Sequence, residues 1–182
     1  MEKESFSALS WMTEEMKDAI RDREKIVQEE NIEKLFSLRD NSDFSIALYE
    51  ILVNRHDKNP NSLNQIQLNL FLSMHMENAG QADSILSFLQ ERFPEHKEQI
   101  VKSLNEIGAI KSSKIIKQAI ELLPENDSWF FDSSDENSER IMMKLDSEFS
   151  NYPDGPMEDL YFKYAEKHKN KLEKPTYNNT YK

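Results

Sequence analysis

The sequence predicts an all-α protein, a compact irregular bundle of seven to nine helices with few or no strands. Three observations carry this prediction. Only six of the 182 residues are Val or Thr, so the β-branched residues that suit a pleated surface are nearly absent. Glycine occurs three times, at Gly80, Gly108 and Gly155, which rules out any phosphate cradle built on a glycine-rich loop. Finally, 44 residues are Leu, Ile, Val or Phe, enough for a core, and they recur at helical spacing.

Each element follows from that spacing. Met12, Met16, Ala19 and Ile20, then Ile26, Ile32, Leu35 and Phe36, predict two helices joined near residues 29–31. Ser42 or Asp43 caps a helix to about Arg55 that buries Phe44, Ala47, Leu48, Ile51 and Leu52. After Asn59-Pro60-Asn61, Ser62 opens the most apolar helix, and Gly80 is expected to stop it. Ile85 to Phe93 form the next helix, closed before Pro94. Pro94 begins another that ends on Gly108 as a left-handed cap. Ser112 or Ser113 opens a helix to Leu123, stopped by Pro124. Beyond an acidic loop, Ser134 with Asn137 starts a helix through Phe149, and a last one runs from about Met157 to Leu172. Three regions result: a helical segment over 1–40 packing on the rest, a main domain over 41–172, and a disordered tail over 173–182.

Several function classes drop out on composition. Without cysteine there is no thiolate zinc site, iron–sulfur cluster or cysteine nucleophile. His56, His75, His96 and His168 form no His-x₃-His pair, and no Glu-x-x-His motif exists for a carboxylate-bridged metal pair. His75-Met76-Glu77 lacks the downstream cysteines of a zinc deaminase, so His75 reads as a hydrogen-bonded core or boundary residue. No Gly-x-Ser-x-Gly elbow is present. We therefore expect no metal, no cofactor and no enzymatic activity. The N-terminal residues carry acids and lack an apolar core, so no signal peptide is expected, and no apolar run is long enough to span a bilayer. The chain reads as soluble and cytoplasmic.

Charge is the strongest remaining signal. Of the formal net charge of −11, residues 125–159 contribute most, with 11 acids against Arg140 and Lys144 alone. Residues 160–182 swing positive, with six lysines against two glutamates. Such a surface repels nucleic acid and acidic membranes and attracts basic proteins. A solvated, solubilising surface is the alternative reading. Within the acidic stretch, Asp127, Asp132, Asp135, Glu136, Glu139, Asp146 and Glu148 are the candidate partner-binding acids. Asp135, Glu139 and Asp146 follow one helix face, where carboxylates repeating along the helical pitch imitate backbone phosphates. Arg140 and Lys144 lie between them, and Arg140 is placed to pair with Glu136. Trp129, Phe130 and Phe131 either plug the core or anchor a partner, and the sequence leaves both readings open.

Short motifs add a family resemblance from about residue 62 onward. Leu63-Asn64-Gln65-Ile66-Gln67 opens the central helix, Asn78-Ala79-Gly80 closes it, and Leu104-Asn105-Glu106-Ile107-Gly108-Ala109 follows. With the loop aromatics and the closing helix around Leu160 to Tyr164, this pattern resembles a bacterial family of unknown function typified by an acidic DNA mimic. The family usually has Asn-Gly-Gly-Phe where Asn78-Ala79-Gly80-Gln81 stands here. The resemblance implies an all-α fold, with Asn78, Gly80, Gly108 and Ala109 as structural motif residues. It also implies a protein that offers carboxylates where DNA offers phosphates. The expected partner is a basic protein, a DNA-binding one foremost, with no direct nucleic acid or membrane contact and a second copy of the chain as a further candidate. A general interaction module docking through Trp129–Phe131 is the alternative.

Overall fold

A computed structural model describes residues 11–173. These residues form helices and turns and no strand, as the composition demands. The helices are α1 (Glu14–Glu29), α2 (Ile32–Leu35), α3 (Asn41–Lys58), α4 (Gln65–Ala82), α5 (Lys97–Ile107), α6 (Ile110–Glu121), α7 (Phe130–Ser133), α8 (Glu136–Ser150) and α9 (Met157–Lys167). A π-helical stretch, Ser87–Arg92, and short 3₁₀ turns complete the path. One apolar core runs from Ile26 and Val27 to Leu172, so α1 and α2 share the core of the helices that follow. The first half of α1 contributes less than its spacing suggests, since Met16 is exposed.

α4 is the axis of the bundle. Ten of its residues are buried, Gln67 and Asn69 among them. Its cap is Asn64 rather than Ser62: the Asn64 carboxamide accepts from the N–H groups of Ile66 and Gln67, and Gln67 reaches back to the Asn64 N–H. That reciprocal capping box outcompetes a lone serine, and Pro60–Ser62 is left as a 3₁₀ turn. Similar displacements occur elsewhere. Asp40 caps α3 and Asp135 caps α8, each by accepting an N–H three residues on. α6 starts at Ile110, ahead of Ser112 and Ser113, because Asp154 supplies the cap from a distant turn. Its carboxylate accepts from the N–H groups of Lys111 and Ser112 at 2.9 and 2.7 Å.

Two expectations are corrected outright. Gly80 does not end α4, which continues to Ala82. Its role is close approach: a Cβ at this position would lie 2.6 Å from Cδ1 of the Phe149 ring, on α8. The last helix stops at Lys167, and Lys169–Lys171 tightens into a 3₁₀ turn that delivers Leu172 into the core. Gly108 is the left-handed cap expected, at φ +93°, and Ala109 behind it is fully buried. Of the tail expected over 173–182, all but Glu173 lies outside the described residues.

Gly80→Ala tests the close approach. In an exposed helix this change gains about 1 kcal/mol. Here the overpacking against a buried ring costs about 1–3 kcal/mol. We expect a net loss in urea denaturation, largely recovered by adding Phe149→Leu.

His75 is the boundary histidine that its place on α4 suggests. Its ring packs on Phe71 and Phe93 at 4.4 and 4.7 Å between centroids, and the Tyr49 hydroxyl lies 3.3 Å from Nδ1. Burial, then the neighbouring His56 and Arg92, push its pKa down to about 4. The unfolded chain therefore binds a proton at His75 between about pH 6.5 and 4 that the folded protein refuses. Stability falls as pH drops through this window, by about 2 kcal/mol once partial solvent exposure is allowed for. His75→Phe should flatten this limb of a stability–pH curve, and an unchanged limb would show that another group causes it.

Candidate acidic interface

The chain after Pro124 crosses the surface and is tied down by Gln90. The Gln90 carboxamide donates to the Ser128 carbonyl at 2.9 Å and accepts from the Phe130 N–H at 3.0 Å. This clamp drives Phe130 into the core, where it is fully buried. The core reading holds for Phe130, which offers no surface to a partner. Trp129 is half-buried against the core. Of the three rings that the sequence groups together, Phe131 is the one left outside, 46% exposed. Adjacent rings in a short helix such as α7 point in different directions, so one buried ring leaves its neighbour outside.

The acids divide by environment. Asp146 turns inward and accepts the Ile85 N–H at 2.7 Å, with its pKa raised chiefly by burial. It thus satisfies an orphan donor at the start of the helical stretch that leads into Ser87–Arg92, and does not extend a face with Asp135 and Glu139. Asp127, at φ +55°, faces Lys97 at 3.0 Å, and Glu148 lies 3.5 Å from Lys144. The remaining four cluster. Asp132, Asp135 and Glu136 are exposed, and Glu139 is half-buried and accepts from the Ser134 hydroxyl. Asp135 is held below the usual carboxylate range by the Ser138 N–H that it caps. Among the described residues none of the four has a Lys or Arg within ion-pairing distance. The expected Glu136–Arg140 pair does not form, because Arg140 bonds Asn137 instead. The anionic face is therefore shorter than the sequence suggests, confined to α7 and the first turn of α8, and uncompensated.

A second acidic feature leaves little trace in the sequence. α3, α4, the turn after α8 and the start of α9 enclose a cleft of about 380 Å³. Glu77 stands at its base. The fully buried Tyr161 hydroxyl lies 2.9 Å from Glu77 Oε2 and 3.1 Å from the Ser73 carbonyl. Tyr152, at φ +52°, lines the same cleft. Burial raises the Glu77 pKa, and the nearby Glu158 adds to this, while the two phenols oppose it. Asn78, read from sequence as a turn residue, lines the same cleft. The signal available is a lone Glu within the most apolar helix, which the His75-Met76-Glu77 motif obscures.

Among the described residues no three His, Asp or Glu side chains converge as a metal site, and no helix is long and apolar enough to cross a membrane. Comparison with curated proteins and with solved structures gave no match. The family comparison did: the DMP19-like protein family matches residues 61–168, from the turn before α4 to the end of α9, so well over half of the chain is covered and the protein belongs to the DMP19-like family.

Proposed function

We propose that this protein is a non-enzymatic acidic binding protein that occupies the basic surface of a DNA-binding protein in place of DNA. The observation that carries the reading is the uncompensated cluster of Asp132, Asp135, Glu136 and Glu139, in a member of the DMP19-like family. α8 presents its carboxylates from a helix start, at a pitch of about 5.4 Å per turn. Their charge attracts lysine and arginine side chains that otherwise contact phosphates. Folding is not strained by the cluster, since acids in a first helical turn meet unpaired N–H groups and the positive end of the helix dipole.

A pull-down with the full chain tests the proposal. A partner captured at low salt should leave as salt rises, and duplex DNA should displace it at a salt concentration where the complex otherwise persists. A partner that stays bound against both competitors sinks the reading. The second reading, a docking module, rests on Phe131, exposed beside the half-buried Trp129. It requires a salt-insensitive complex that Phe131→Ala abolishes.

A further inference from the structure

We propose that the cleft between α3, α4 and the 152–158 turn receives a guanidinium group. The walls supply each element of such a site. Glu50, Glu77 and Glu158 line it, and no Lys, Arg or His does. None of the three carboxylates has an ion-pair partner among the described residues. The apolar side chains of Ile46 and Met74 and the rings of Tyr49 and Tyr152 line the cleft with them. The Ser45 side chain lines the same cleft, and its hydroxyl has no hydrogen-bond partner.

This chemistry favours guanidinium over other cations. A hard metal ion needs several carboxylates converging on one point. Here the acids come from three separate elements, and Glu77 is already engaged by the Tyr161 phenol. A lysine ammonium is strongly hydrated and loses more on entering a partly apolar cleft. Guanidinium is weakly hydrated and planar, stacks on phenol rings, and presents a fork of donors to carboxylates on different walls. The guest is either an arginine side chain of a protein partner or a free guanidino compound. The site stands apart from the α7–α8 cluster, so it does not depend on the DNA-mimic reading.

The test titrates N-acetyl-arginine N-methylamide into the full ¹⁵N-labelled chain. Saturable shifts should gather on α3, the second half of α4 and residues 152–158. Glu77→Gln and Glu158→Gln should each weaken binding about tenfold. The glutamine at 77 still accepts from Tyr161, and Glu158 is exposed, so one of the two variants remains readable if the other fails to fold. The lysine analogue should bind at least about fivefold more weakly. Binding should also lower the pH at which Glu77 titrates. Agmatine distinguishes the sources: equal affinity fits an arginine side chain, and affinity at least about tenfold tighter fits a free guanidino compound. Asp132→Lys with Glu136→Lys should leave the titration unchanged, which separates this site from the acidic interface. Shifts scattered over the acidic surface, or indifferent to both glutamine variants, overturn the proposal.

Discussion

Reversing Asp132, Glu136 and Glu139 to Lys should lower affinity for a basic partner by about a hundredfold or more at low salt, with the fold retained. Each reversal replaces an attraction with a repulsion, and close charge pairs across interfaces couple by about 1.5 kcal/mol or more. The effect should shrink as salt rises, because exposed charges are screened beyond about 8 Å at physiological ionic strength. Asp135 and Asp146 are left out because each holds a backbone N–H, so their reversal would damage folding as well as binding. Losing the acids of the first helical turn costs about 0.3–1 kcal/mol each, a small loss for the domain. Surface plasmon resonance at two salt concentrations, with circular dichroism of the variant, checks both halves. If affinity for the captured partner is unchanged at low salt, the cluster is a solubilising surface.

Arg55→Met should destabilise the fold by about 3 kcal/mol, more than Gly80→Ala does. Arg55 is 5% exposed. Its Nε donates to Glu30 at 2.8 Å and its Nη1 to the Leu172 carbonyl at 2.6 Å. Glu30 caps α1 in the left-handed region, and Leu172 closes the chain onto the core. Removing the guanidinium leaves a buried carboxylate with Lys58 at 3.7 Å as an exposed and weaker counter-ion. Urea unfolding measures the loss. The double variant with Glu30→Gln should recover part of it, because the buried negative charge is then gone. A loss below about 1 kcal/mol would place Arg55 among ordinary surface pairs.

How far the sequence reveals this molecule depends on the distance between interacting partners. The buried stripe of α3 and the Gly108 cap are legible because their causes lie within one helical turn. Gly80 misleads because its reason, the Phe149 ring, lies on another helix. Local logic assigns a glycine after an apolar run to a helix end, and only packing shows that the backbone of α4 is itself a contact surface. Asp146 misleads in the same way. Helical spacing puts it in line with Glu139, but the Ile85 N–H that it satisfies is 61 residues earlier. The π-helical stretch leaves no mark in composition. The Glu77 cleft joins residues from four elements, and no motif records that meeting.

The seating of α8 bears on how fast a partner arrives and leaves. α8 is held at three points: Phe149 lies on the bare backbone of Gly80, Asp146 holds the Ile85 N–H, and Gln81 donates to the Ser150 carbonyl at 2.9 Å. A helix fixed in this way does not have to be ordered when a partner docks, so the carboxylates at its start meet the approaching surface already in position. Encounter is then limited by diffusion and long-range field, and association rates should rise steeply as ionic strength falls. Loosening the seat with Gly80→Ala would leave every charge in the sequence while adding an ordering step. The complex should then form more slowly and dissociate sooner, although no residue of the contact surface has changed.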